Sequence, residues 1–143
     1  MFDELNKYRE NSHFFFNPKD NLAKVCNAPT NKNGVILVYA LKKGKVELIY
    51  IGSTGKFEKD GSVAVNTEGL GGIKDNIINE IHFGKPRETS WPAKMIDEEI
   101  EALDVYWYVT HGDKYNDPPK MPEKKIMQVH LDVYGRYPRW NEV

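Results

Sequence analysis

One stretch of the chain is apolar on both of its alternating faces. It runs from Gly34 to Leu41 with the sequence GVILVYAL and is rich in β-branched residues. Since successive side chains of a strand point to opposite faces of a sheet, this pattern predicts a central strand that is covered on both sides. The KKGK turn over 42–45 and the apolar residues over 46–52 then predict a second strand, which completes a β-hairpin.

Further along the chain, the apolar spacing predicts three helices and one more strand. The alternation of residues 103–110 is typical of a strand, and helices are expected over 73–83, over 91–102 with Ser90 as N-cap, and from Pro122 to Gly135. We therefore expect an α+β fold, with a small, mostly antiparallel, three-stranded sheet flanked by helices.

The length of 143 residues suits one compact domain. Phe2, Leu5 and Tyr8 recur at helical spacing, and the prolines and asparagines that follow favour irregular structure. We expect residues 1–33 to form a helical or irregular extension and residues 34–143 to form the domain itself.

The charges nearly cancel, with 20 Lys and Arg against 21 Asp and Glu. A uniformly basic coat is thereby excluded, so contact with a nucleic acid would need a local patch. The single cysteine, Cys26, excludes an internal disulfide framework and favours a reducing compartment. The apolar run over 35–41 is far shorter than the ~20 residues of a membrane-spanning helix, so we expect a cytoplasmic protein without a membrane partner.

The last predicted helix carries an acidic residue on its apolar side. On a helical wheel, Glu123 falls in the middle of the face that contains Ile126, Met127, His130 and Tyr134. A carboxylate at the edge of a core is costly unless it is paired or bound to a metal. The alternative is positional, because the first turn of a helix favours an acidic side chain.

Two short motifs resemble the GIY-YIG endonuclease family. The first strand begins with Gly34, Val35 and Ile36, and the second ends with Tyr50-Ile51-Gly52 followed by STGK. A glycine-rich loop, a helix and a late glutamate follow in the order found in that family. The ending over 134–141 matches a Y-G-x-x-P-x-W-N pattern of some bacterial members, so the resemblance covers roughly residues 26–141.

The resemblance implies hydrolysis of DNA phosphodiester bonds with one divalent metal ion. By position, Tyr50 matches the second motif tyrosine, and Glu123 matches the glutamate that binds Mg²⁺ or Mn²⁺. His82 could be the auxiliary histidine of the family, although a histidine near a helix end can instead bind carbonyl groups. On this view, Glu123 faces inward and meets the phenol of Tyr50.

The chain departs from the family at two positions. Ile36 stands where the first tyrosine is expected, and Asn76 stands where a helix normally carries an arginine. Loss of one preorganised group of this kind typically costs ~10²–10³ in rate, so activity is expected to be weakened. Lys74 or Arg87 could compensate for the missing arginine.

Gly52, Lys56, Lys74 and Arg87 are the residues that we expect to contact DNA. The lysines over 42–45 are most simply a solvated turn, but together with Lys56 and Lys59 they could bind phosphates. Two other functions stay open: a catalytically inactive domain that binds nucleic acid, and an interaction module that reuses the fold.

Overall fold

A computed structural model describes residues 2–57, 63–64 and 72–141 of the chain. Within these ranges the strands are β1 (Asn11–Phe16), β2 (Asn33–Lys42), β3 (Lys45–Ser53), β4 (Lys56–Phe57), β5 (Val63–Ala64), β6 (Ile81–His82), β7 (Lys85–Pro86) and β8 (Ala102–His111). The helices are α1 (Leu22–Val25), α2 (Gly72–Asn79), α3 (Arg87–Asp97) and α4 (Lys120–Tyr134), with 3₁₀ helices at Asp3–Lys7 and Arg139–Asn141.

Four of the strands form one antiparallel sheet in the order β1–β8–β2–β3. With the helices that flank it, this sheet makes the protein a small α+β fold, as predicted. The predicted number of strands was wrong, because β1 pairs with the outer side of β8 in a segment that was expected to be helical or irregular. Phe14 and Phe16 of β1 are buried, whereas His13 and Phe15 are exposed, so the alternation of a half-buried strand is present but short.

The first 33 residues belong to the same packing unit as the rest of the chain. Besides β1, they supply the buried side chains of Leu5, Tyr8 and Leu22. The short helix expected at the start is a 3₁₀ helix of five residues, Asp3–Lys7. The described residues before position 34 therefore pack into the same core as the rest of the described chain.

The predicted hairpin is confirmed and consists of β2 and β3. Its two-residue loop contains Lys43 (φ 50°) and Gly44 (φ 74°), which is the pair of positive φ values that a type I′ turn requires. At the other end of β2, a Cβ atom on Gly34 would lie 1.8 Å from the carbonyl oxygen of Tyr108. The first glycine of the resemblance is therefore required by the close approach of β8.

The two faces of the sheet carry separate clusters of buried side chains. On the first face, Ile36 and Val38 of β2 pack with residues of α2 and α3, and Tyr50 of β3 packs against them. On the second face, Val35 and Leu37 pack with Ile126 of α4 and with the first 3₁₀ helix. The sheet therefore separates α4 from the helices that surround Tyr50.

The later elements differ from the prediction in two ways that affect the site. α3 begins at Arg87, directly after Pro86, so Ser90 lies inside the helix and is not its N-cap. His82 does not end a helix but lies in β6, which forms a short hairpin with β7. α4 ends at Gly135 with φ 72°, as predicted.

No helix of the described residues is both long and apolar enough to cross a membrane.

Candidate functional site

The phenol of Tyr50 lies directly over Gly52. A Cβ atom on Gly52 would come within 2.5 Å of Cε2, 2.8 Å of Cζ and 2.7 Å of the hydroxyl oxygen of Tyr50. Residues two apart on a strand share a face, so only a glycine at this position leaves room for the ring. The Tyr50-Ile51-Gly52 motif therefore fixes where the phenol lies.

Arg87 holds this phenol from the opposite side. The guanidinium is buried, with 2% of the residue exposed, and its Nη2 donates to the hydroxyl oxygen of Tyr50 at 2.8 Å. Its Nη1 donates to both the backbone oxygen (3.1 Å) and the side-chain oxygen (2.8 Å) of Asn76. The guanidinium carbon also lies 4.9 Å from the ring centre of Tyr50 and 5.4 Å from that of Trp91.

His82 completes the cluster as a neutral imidazole. Its Nε2 lies 2.9 Å from the carbonyl oxygen of Trp140, which can only accept, so Nε2 carries the proton. Its Nδ1 accepts from Trp91 Nε1 at 3.1 Å and from Arg87 Nε at 3.3 Å. Burial is the main reason that the pKa of His82 falls to about 4, and the nearby Arg87 lowers it further against the opposing bond to Trp140.

The cluster contains a buried positive charge that lacks an anionic partner. Among the described residues, Arg87 forms no salt bridge, and the acceptors of its hydrogen bonds belong to Tyr50, Asn76 and His82. Burial accordingly lowers the pKa of Arg87, with Tyr50 and Glu80 acting against this shift. Buried charges in proteins are normally paired, so the environment of Arg87 favours an anion nearby.

Ile36 and Asn76, the two positions that differ from the motif pattern, have different surroundings in the structure. Ile36 is fully buried opposite Gly52, so this position contributes an apolar side chain and no hydroxyl group. Asn76 carries no charge, but it accepts two hydrogen bonds from Arg87. Arg87, at the start of α3, therefore contacts the helix position at which the resemblance expects an arginine.

Glu123 lies apart from this cluster. It stands in the first turn of α4, and its carboxylate has Lys120 Nζ at 3.4 Å as its partner. Within the described part of the chain it shares no hydrogen bond with Tyr50, His82 or Arg87. The expected meeting of Glu123 with the phenol is therefore not observed, because α4 packs on the second face of the sheet and Tyr50 packs on the first.

The carboxylate of Glu123 is nevertheless suited to a weakly held metal ion. Its side chain is 18% exposed, and its ionic partner among the described residues is the exposed Lys120. No group of three or more His, Cys, Asp or Glu side chains suited to a metal ion occurs among the described residues. A single carboxylate can still bind Mg²⁺, because this ion keeps much of its water.

The lysines named from the sequence are scattered. Lys74 lies half-buried on α2, and its ammonium makes no hydrogen bond with another described residue. Lys42 donates to the carbonyl oxygen of Glu98 at 2.7 Å, so it helps to attach the hairpin to the end of α3. Lys59 and the side chain of Lys56 lie outside the described residues.

Sequence reasoning missed the part that the last residues play in the site. Trp140 is 1% exposed and supplies the carbonyl group that orients His82. Asn141 pairs with the backbone of Ile51 through two hydrogen bonds, of 3.0 Å from the Ile51 N–H and 2.8 Å to its carbonyl oxygen. The signal was available in the Trp-Asn pair of the C-terminal pattern, but its target could not be identified without the fold.

Comparisons of the chain with models of protein families, with curated proteins and with solved structures found no match. The resemblance to the GIY-YIG family therefore rests on the motif residues of the sequence alone.

Proposed function

We propose that this protein is a GIY-YIG-like nuclease domain that binds the phosphodiester backbone of DNA next to Tyr50 and hydrolyses it at a reduced rate. The observation that carries the proposal is the hydrogen bond of 2.8 Å between Arg87 Nη2 and the hydroxyl oxygen of Tyr50. It joins a tyrosine of the YIG motif to a buried cation that forms no ion pair with any described residue.

The direction of this hydrogen bond leaves the tyrosine able to bind a phosphate. Because Arg87 donates, the oxygen of Tyr50 accepts, and the phenolic proton has no acceptor among the described residues. Tyr50 is only partly buried. Its O–H can therefore donate to a phosphate oxygen at the surface, while the positive charge beneath it attracts the same phosphate.

Several features lower the expected rate. Ile36 supplies no hydroxyl group, and four of the five N–H groups of a guanidinium are used when Arg87 binds its three neighbours. Arg87 therefore cannot grip a phosphate with two parallel hydrogen bonds. At ~10²–10³ per missing group, hydrolysis is expected to be far slower than in a complete site.

Glu123 would hold Mg²⁺ or Mn²⁺ in this proposal. When bound, such an ion would polarise a phosphate and stabilise the leaving oxygen. Because Glu123 and Tyr50 lie on different sides of the sheet, the ion would act only on a phosphate that reaches α4. The residues of the chain itself would orient the phosphate, through the phenol of Tyr50, and balance its charge, through Arg87.

A second candidate function is DNA binding without cleavage. It is favoured by the separation of Glu123 from the Tyr50 cluster, because a metal ion on α4 would have to reach a phosphate held on the other face of the sheet. In this case the cluster serves recognition alone.

A nicking assay on supercoiled plasmid with Mg²⁺ or Mn²⁺ tests the first function. We expect slow nicking by the wild type, with loss of nicking in Tyr50→Phe and Glu123→Ala. The matched controls are Tyr106→Phe and Glu101→Ala, which change the same residue types away from the site and should nick like the wild type. Nicking that survives Tyr50→Phe would refute the assigned site.

A binding titration separates the two functions. Fluorescence anisotropy with a labelled duplex should detect an affinity that falls steeply with salt, as expected for phosphate contacts. Binding without nicking would replace the first function by the second, and no binding at low salt would overturn both.

A further inference from the structure

A cavity of about 240 Å³ lies beside the first half of β3, between this strand and the end of α4. Its wall combines apolar side chains, such as Leu48 and Pro138, with several polar side chains of the segment that follows α4. Pockets for drug-sized ligands start at about 300 Å³, so this one suits a single planar ring system. The function described above does not use it.

His130 gives the cavity a defined hydrogen-bond acceptor. The residue is 4% exposed, and its Nδ1 lies 2.7 Å from the carbonyl oxygen of Arg136. Because this carbonyl can only accept, Nδ1 carries the proton of the neutral ring, and Nε2 presents a lone pair. Nε2 has no partner among the described residues and belongs to a side chain that lines the cavity.

Two tyrosines and an arginine form the rim. Tyr134 is 54% exposed and Tyr137 is 48% exposed, so part of each side chain is accessible to a ligand in the cavity. The ring centre of Tyr134 lies 4.6 Å from that of His130, which places an aromatic surface next to the acceptor. Arg136 also lines the cavity, and its guanidinium makes no ion pair with a described residue. The Arg139–Glu47 ion pair neutralises the other charges on the wall.

We propose that this cavity binds one nucleobase of a DNA strand. The tyrosine rings would stack on the base, His130 Nε2 would accept from one of its N–H groups, and Arg136 would contact the adjoining phosphate. The cavity reaches Leu48 of β3. Leu48 packs on the second face of the sheet and Tyr50 on the first, because the β2–β3 register shifts between them, so a DNA strand that reached both would cross the edge of the sheet at β3. This inference rests on the proposed function for its ligand, because it assigns a base to the strand whose phosphate lies at Tyr50.

The first test uses nucleosides, which carry a base but no phosphate. In a nitrogen-15 NMR titration of the full chain, thymidine or deoxyguanosine should shift the Nε2 resonance of His130. The exposed imidazole of His13 is the internal control and should not respond, and inorganic phosphate alone should leave Nε2 of His130 unchanged. An unchanged Nε2 resonance at saturating nucleoside would overturn the proposal.

The second test compares a short single-stranded oligonucleotide with its abasic counterpart. Tyr134→Leu should weaken binding of the normal oligonucleotide about 5-fold to 100-fold, the range for one lost stacking contact, and should not affect the abasic one. Phe15→Leu removes another exposed aromatic ring and should change neither. Equal affinities of Tyr134→Leu and the wild type for the normal oligonucleotide would refute the base pocket and leave DNA binding at Tyr50 intact.

The two proposals fail in different ways. If the nucleosides bind but neither oligonucleotide does, the pocket stands and the proposed function is wrong. If an aromatic peptide shifts His130 and the nucleosides do not, the cavity recognises protein side chains and the base assignment is wrong.

Discussion

Replacing Gly52 by alanine tests how the YIG motif positions the phenol. The new methyl carbon would lie 2.5–2.8 Å from three atoms of Tyr50, which is too close for any stable contact. Because the far end of the ring is the part that can move, we expect Tyr50 to swing away from Arg87. The hydrogen bond of 2.8 Å would be lost, and Arg87 would stay buried with fewer acceptors.

The free energy of unfolding should therefore fall by about 1.5–3 kcal/mol, the usual value for a hydrogen bond to a charged group. Backbone strain adds nothing, because Gly52 does not have a positive φ. Urea titrations followed by circular dichroism measure the change as a shift in midpoint at constant slope.

A double-mutant cycle isolates the cause. In a Tyr50→Ala background the ring is absent, so Gly52→Ala should cost less than about 0.5 kcal/mol. Gly112→Ala is the matched control, because the nearest atom to its Cβ would belong to the flexible side chain of Lys32, at 3.1 Å, and its contact with Val109 Cγ1, at 3.4 Å, would be of ordinary length. A Gly52→Ala penalty that is the same with and without Tyr50 would refute the reasoning.

Three further predictions concern the same cluster. Arg87→Lys keeps the charge but loses most of the hydrogen bonds, so urea titration should find a destabilisation of about 2–4 kcal/mol; wild-type stability would contradict the described network. His82 stays neutral in the folded protein down to a pKa of about 4, whereas the unfolded chain takes up this proton near pH 6.5. Stability should therefore fall as the pH drops through this window, by up to about 3 kcal/mol, and titrations at several pH values should find a shallower fall in His82→Gln. Asn141→Ala removes both hydrogen bonds to Ile51 and should lower the free energy of unfolding by about 1–3 kcal/mol, together with faster amide exchange at Ile51.

The elements with a strong local signal were predicted from the sequence. The β2–β3 hairpin combines apolar, β-branched strands with a two-residue turn, and β8 alternates over its whole length, so each carries its own pattern. β1 has a weak sequence signal, because only Phe14 and Phe16 are buried in it, and the nearby prolines favoured a prediction of irregular structure. Its place in the sheet is decided by pairing with β8, which is far away in the chain.

Within the site, the sequence alone predicts a contact only between two residues of the same motif. Tyr50 and Gly52 belong together on any strand, because their spacing places them on one face. The contact of Arg87 with Asn76 joins two helices across a short hairpin, and no local pattern encodes it. The expected approach of Glu123 to Tyr50 failed because the side of the sheet on which α4 packs depends on the whole fold.

The pairing of Asn141 with Ile51 has a consequence for how the protein is made. During synthesis, Ile51 of β3 is added ninety residues before Asn141, whose side-chain amide covers the outer edge of this strand. Until the ribosome has extended the chain past this asparagine, the nascent sheet has an open margin at which another chain could add a strand. The carbonyl group that keeps the imidazole of His82 in its tautomer is also still missing at that stage. Maturation of the cluster must therefore wait for residues 140 and 141, and a ribosome stalled before residue 140 would carry a chain prone to aggregation.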